Sequence, residues 1–157
     1  MSIRILIAAA ALAAMPSYAT VVVTFTDPDN YTDAANQRWE VQSTLDALER
    51  HMKRLGDRYI GPNDTLRIEV LDVDLAGWAR MGGRAPNEVR VVRGRADFPS
   101  MKVRYTLESR GRTPTETTIS DPTYLDHGLH LNSSEPFYYE KRMLDDWFRS
   151  TFGERSR

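Results

Sequence analysis

Cysteine is absent from all 157 residues. That absence removes disulfide scaffolds, thiolate zinc sites, iron–sulfur clusters, cysteine nucleophiles and the lipidated cysteine of a bacterial lipoprotein. An excess of either charge is missing as well. Lys and Arg number 21 against 22 Asp and Glu, a net charge of −1, so nucleic-acid binding driven by bulk positive charge is excluded while a local basic patch is not. No long apolar run is present. The ten-residue stretch Ile5 to Ala14, eleven with Met15, falls well short of the roughly 20 residues that span a bilayer. The chain also lacks a Gly-x-Ser-x-Gly elbow, a His-Glu-x-x-His pair, a Gly-x-Gly-x-x-Gly loop and a P-loop, which disfavours catalysis by a standard motif.

What is present is ordinary globular usage, 41% hydrophobic and 27% charged, enough for one folded domain without metal or disulfides. Residues 1–19 read as a secretory signal peptide, with Arg4 ahead of the apolar run and Ser17 and Ala19 as small residues before a cleavage between Ala19 and Thr20. Removing residues 1–19 takes away only Arg4 among charged residues. The expected mature chain, Thr20 to Arg157, therefore has 138 residues, a net charge of −2 and no transmembrane segment, and is expected in the periplasm or outside the cell.

Thr20 to Thr26 is β-branched and aromatic and ends in the turn chemistry of Asp27-Pro28-Asp29-Asn30, which predicts a strand. From Asp33, a candidate cap, Val41, Leu45, Leu48, Met52, Leu55 and Tyr59 recur at helical spacing up to Gly61-Pro62. Alternation of Leu66, Ile68 and Val70 with Arg67 and Glu69 predicts a strand over 65–75. The glycine-rich stretch 76–86 reads as the least structured part. Strand signals return over 88–93, 101–108 and 115–120, the last two joined by a turn at Arg110-Gly111-Arg112, and Phe137, Leu144, Trp147, Phe148 and Thr151 form a final helical face ending near Gly153. The expected fold is a single α+β domain of order β-α-β-β-β-β-α, a mostly antiparallel sheet of about five strands with both helices on one face.

Three strings carry a family likeness. They are Leu71-Asp72-Val73-Asp74-Leu75-Ala76-Gly77, Val89 to Pro99, and Tyr139 to Phe148, with the opening Val23 to Asp33 string alongside. Together and in this order they resemble the exported proteobacterial family called domain of unknown function 3016, over essentially the whole mature chain. The resemblance implies a Gram-negative envelope protein and brings no activity, cofactor or catalytic residue with it.

Several clusters have chemical as well as ordinary readings. Asp72 and Asp74, two apart on a strand, project from one side about 7 Å apart, a spacing open to a glycosidase pair or a metal; the ordinary reading is a pair of solvated or arginine-paired acids. Asp27, Asp29 and Asp33 start like a calcium loop, but Thr32 stands where a glycine is required and Arg38 where a glutamate is. His127 and His130, with Asp121 and Asp126, form a weak metal candidate; His51 is expected at the surface. Arg90, Arg93, Arg95, Lys102 and Arg104, interleaved with Phe98 and Tyr105, form a basic surface if they share the helix-free face, against a face laced with pairs to Glu69, Glu88 and Glu108. One of Tyr138 and Tyr139 is a candidate exposed anchor.

The sequence thus points to a non-catalytic binding or protein-interaction module of the cell envelope. Arg90, Arg93, Arg104 and Trp78 are the binding candidates. Its partner would be an envelope protein or an anionic glycan or lipid, not nucleic acid, and nothing calls for a cofactor. A small hydrolase of cell-wall glycan using Asp72 and Asp74 is the alternative.

Overall fold

The computed structural model describes residues 19–35, 37–81, 88–94, 96–111, 113–126 and 135–153. The leader-like segment 1–18 lies outside them, as do Arg95, Arg112, His127 and His130. Ala19 is half-buried and packs against the core immediately before the first strand.

Eight elements follow in order: β1 (Thr20–Phe25), α1 (Val41–Tyr59), β2 (Thr65–Asp74), β3 (Trp78–Met81), β4 (Glu88–Val91), β5 (Ser100–Leu107), β6 (Thr115–Ser120) and α2 (Tyr138–Phe152). The main sheet has the order β1-β2-β5-β6. β1 runs parallel to β2, across α1, and the remaining pairs are antiparallel. β3 lies inside the glycine-rich stretch and pairs with β4 as a separate two-stranded ribbon.

Both helices bury their apolar stripes in one core. Leu45, Leu48, Met52 and Leu55 of α1 and Met143, Leu144, Phe148 and Phe152 of α2 meet Leu66, Ile68, Val70, Val73, Met101, Val103 and Ile119 of the sheet. The two helices therefore share one sheet face, and the opposite face carries the exposed Arg67, Lys102 and Glu116. At Gly56 α1 comes close to β1: a β-carbon added there would stand 1.9 Å from Val21 Cγ2. Overpacking costs about 1–3 kcal/mol, and the gain from alanine in a helix offsets about 1. Gly56→Ala is thus expected to lower stability by up to about 2 kcal/mol in urea denaturation; a variant more stable than wild type would contradict the close approach.

β2 carries a bulge between Val70 and Asp72. Up to Val70 the even positions face the core; beyond it Val73 and Leu75 do. One extra residue thus turns Asp72 and Asp74 away from the core that a continued two-residue period would give them.

Asp33 does not cap α1, which begins eight residues later behind a 3-10 turn at Arg38–Glu40. Its backbone is spent on β2: Asp33 N–H donates to Val73 O and Leu75 N–H to Asp33 O. That parallel bridge to Asp74 extends the β1 side of the sheet and fixes where the Asp33 carboxylate lies.

Candidate functional site

The end of β2, the 31–35 segment, β4 and the start of α2 meet at one edge of the domain, and most of its chemistry is there. Arg90 on β4 reaches Asp33, its two terminal nitrogens standing 3.0 and 2.5 Å from the single oxygen Oδ2. The Arg90 Nε is buried and has no hydrogen-bond partner among the described residues. Glu140, in the first turn of α2, is only 4% exposed. Its Oε1 accepts the Ala76 N–H at 2.7 Å. Burial pushes its carboxyl above the ordinary range, although Ala76 and the Arg90 charge pull the other way. Burial likewise raises Asp33 against the pull of Arg90, and raises Asp74 with the charges of Asp33 and Asp72 adding to it.

Asp72 is tied down. Its Oδ1 accepts the Thr32 and Val73 N–H groups and its Oδ2 the Thr32 hydroxyl, all at 2.7–2.9 Å. These bonds make it the clamp that holds the 31–33 segment on β2. Asp74 shares its side of the strand, so the two carboxylates do lie on one side with quite different surroundings. No group of three or more His, Cys, Asp or Glu able to hold a metal occurs among the described residues. Asp126 is exposed, at the edge of that description.

The arginines separate. Arg104 lies on the open sheet face, donating to Glu69 at 2.8 Å and Glu116 at 3.1 Å, while Lys102 pairs with Glu116 and Arg67 with Glu108. Among the described residues three cations meet three carboxylates there, so their charges balance. Arg90 and Arg93 are on or just after the ribbon instead. Trp78 pairs with Val91 and Ala79 with Arg90, so Trp78 and Arg90 point to opposite faces of the ribbon. Arg93 follows Val91 by two residues, and its guanidinium sits over the Trp78 ring, 4.7 Å from the centroid. Trp78 is nonetheless 45% exposed.

Asp97 fixes this pair in place. Its Oδ2 accepts the Arg93 N–H, its backbone oxygen the Gly77 N–H, and its Oδ1 the hydroxyl of Tyr124, which in turn accepts the Gly94 N–H. Burial pushes the Tyr124 hydroxyl up to about 12, so it stays a donor. Tyr139 stacks edge-on against Tyr124, and Tyr138 against Tyr139. Both α2 tyrosines are half-buried in this aromatic row.

His51 is not at the surface. Its side chain is 12% exposed, because α2 packs over it. Its Nε2 stands 2.9 Å from Asp145 Oδ1 and 3.1 Å from Lys141 O, while Arg54 donates to Nδ1 at 3.0 Å. Burial lowers its pKa despite Asp145. The neutral ring acts as a tie between the helices, with Nε2–H donating.

Sequence reasoning passed over Glu140 and Trp39. Glu140 had a signal: it stands three after Phe137 and four before Leu144, on the apolar face of α2. Trp39, 76% exposed in the turn before α1, lies ahead of the helical stripe and had none.

Beside Arg90 a cleft of about 410 Å³ opens between α1, Leu75 and the Pro136-Phe137 entry to α2. Phe137 takes a left-handed backbone, φ 59°, to start that helix, an unusual conformation for a bulky residue.

A family model described as protein of unknown function (DUF3016) matches residues 19–150. No curated protein matches the chain. Among solved structures, a minor lipoprotein from Acinetobacter baumannii is similar over 87% of this chain and 91% of that one, at 14% identity and a TM-score of 0.29. That likeness is too slight to carry an argument.

Proposed function

Since the chain belongs to the DUF3016 family, for which no activity is established, we propose from its own residues that it is an exported, non-catalytic binding module of the cell envelope. The observation that carries this reading is Trp78, a large aromatic held 45% exposed under the Arg93 guanidinium. Tryptophan and arginine together are the residue types that most often dominate a binding surface. An indole face stacks on the C–H face of a sugar ring, and the guanidinium meets an anionic group on the same chain. An acidic envelope glycan therefore suits the pair. The leader-like N-terminus supports the location, and the local pairing of Arg104 and Lys102 leaves the open sheet face without the excess charge a second contact would need.

The hydrolase reading is weaker on this geometry. Asp72 spends both oxygens on Thr32 and Val73, and a carboxylate so bonded is a poor nucleophile or base.

The test is retention on purified sacculi and on lipopolysaccharide. Trp78→Ala combined with Arg93→Glu is expected to reduce retention at least tenfold, while Arg104→Glu leaves it nearly unchanged. Equal retention of the double variant and wild type would overturn the assignment. Turnover of sacculi that vanishes in Asp72→Asn, with the fold intact, would restore the hydrolase.

A further inference from the structure

β6 is an edge of the main sheet, with β5 on one side of it. Asp121 N–H donates to Pro99 O, in step with the register that sets Ile119 against Met101 and Thr117 against Val103. Bonding alternates along an antiparallel strand. The odd residues of β6 therefore spend their backbone groups on β5, and Glu116, Thr118 and Ser120 aim theirs outward. No backbone bond joins those three to another segment among the described residues.

Native sheets blunt such an edge with lysine, proline, a bulge or a cover. Thr115-Glu116-Thr117-Thr118-Ile119-Ser120 has no lysine or proline, is mostly β-branched and keeps an unbroken register. Its flanks do carry proline. Pro114 and Pro122 stand at the same even parity just beyond the strand, where a missing N–H ends a ladder. The edge is thus open over 116–120 and closed on either side.

That window is its own complement. Laid antiparallel on a second copy about a two-fold at Thr118, Glu116 falls opposite Ser120 of the second copy, Thr118 opposite Thr118, and Pro114 opposite Pro122. All three outward residues then meet as bonded pairs, each exchanging two hydrogen bonds, and no like charges face one another. Every other two-fold along the strand sets one of the three against a proline or against a residue already bonded to β5. On the helix side a groove of about 460 Å³ runs between β6 and α2, with Ile119, Met143 and Trp147 in its lining and Asp146 and Arg149 beside them. α2 therefore leaves room beside the edge. The pairing sets Thr117 of the second copy opposite Ile119, its methyl group toward that apolar lining. On the helix-free face Glu116 is already matched by Lys102 and Arg104, so a second Glu116 brings no unanswered charge.

We infer that the chain forms a two-fold dimer through β6, the two main sheets joining edge to edge with the Thr118 pair at the centre. The contact is small, so the dimer exchanges with monomer in the micromolar range.

The experiment combines sedimentation equilibrium with amide hydrogen exchange on the full folded chain from about 1 to about 300 μM, which brackets weak, small interfaces. Dimer is expected at the upper end. The Glu116, Thr118 and Ser120 amides should exchange at least tenfold more slowly there than at the lower end, and the inward Thr117 and Ile119 amides should change far less. Thr118→Lys sets two ammonium groups face to face across the axis, with Lys102 of each copy alongside. Thr118→Pro deletes an outward N–H that β5 does not use. Each is expected to weaken the dimer at least tenfold; if the proline variant fails to fold, Thr118→Lys decides. Thr24→Lys, exposed on β1 at the other edge, leaves the dimer intact. A monomer throughout, the three amides already slow at the lowest concentration, or a dimer that survives Thr118→Lys overturns the inference. Trp78→Ala leaves the dimer intact, because Trp78 belongs to the separate ribbon. The sheet edge and the glycan surface therefore fail or stand separately.

Discussion

Glu140→Ala is expected to lower the free energy of unfolding by about 3 kcal/mol at pH 4, where the carboxyl is mostly protonated. The substitution strands the buried Ala76 N–H, which loses its acceptor at 2.7 Å, and leaves a void where a side chain only 4% exposed had stood. An unmatched buried donor accounts for about 1–3 kcal/mol, and the void for the rest. The cost should shrink as pH rises, because alanine also removes the burden of a buried charge.

Glu140→Gln separates the two effects. Glutamine keeps an oxygen for Ala76 and cannot ionise. The Glu140 carboxyl is raised in the folded state, burial being the largest cause. A raised acid binds its proton more tightly when folded. Its contribution to stability is complete below the unfolded value, about 4.3, and is lost as pH rises through the folded value. Wild type and Glu140→Gln should therefore be nearly equal in urea at pH 4, and the variant should gain on wild type from there upward until Glu140 is fully ionised. Asp33 and Asp74 shift in the same direction and Glu116 and Glu135 in the opposite one. The difference between the two proteins cancels those shared groups. A wild type that gains on the variant as pH rises would mean that Arg90 outweighs burial.

Glu140 also marks what is legible in the sequence. The helical stripes of α1 and α2, the strands around Leu66–Val70, Val103 and Ile119, and the two-helix, one-face layering follow from apolar spacing alone, because burial of a periodic face is a local signal. Asp72 and Asp74 show where such a signal stops. Continuing the period from Leu66 by twos places both acids in the core, and only the bulge at Leu71 turns them outward. Nothing in the string Val70-Leu71-Asp72 announces an extra residue; β5, whose register sets it, lies thirty positions on. The same holds for Asp33. Beside the helix it reads as a cap, yet its backbone closes on β2 and its side chain on Arg90.

The arginines divide for a similar reason. Lys102 and Arg104 alternate on one strand and share a face, as the pattern requires. Arg90 and Arg93 differ by an odd number of residues and belong to a ribbon outside the main sheet. Which of them faces Asp33 and which faces solvent depends on the pairing of β3 with β4, and β3 is a strand only because β4 pairs with it. Its segment is rich in glycine and carries no strand pattern of its own.

That ribbon depends on Gly77, and Gly77→Ala is expected to cost about 3 kcal/mol and to displace Trp78 and Arg90 together. Two causes act there. The backbone is left-handed, φ 75°, and an added β-carbon would stand 2.5 Å from the Val91 carbonyl oxygen. Gly94 separates them, since its φ is 74° but among the described residues its β-carbon would meet only Leu125 Cδ1, at 3.2 Å. The Gly94→Ala cost should therefore stay near the left-handed penalty, about 1–2 kcal/mol, because a leucine methyl yields. The Val91 carbonyl cannot yield without moving β4. Asparagine, which tolerates the left-handed region, should rescue Gly94 substantially and Gly77 little. Urea denaturation of the four variants reads the costs, and the part of the fluorescence that Trp78→Phe removes, compared between each variant and wild type, reads the ribbon. Equal costs at the two glycines would reduce Gly77 to a backbone effect, leaving the close approach to Val91 without a role in aiming Arg90 at Asp33 and Trp78 at solvent.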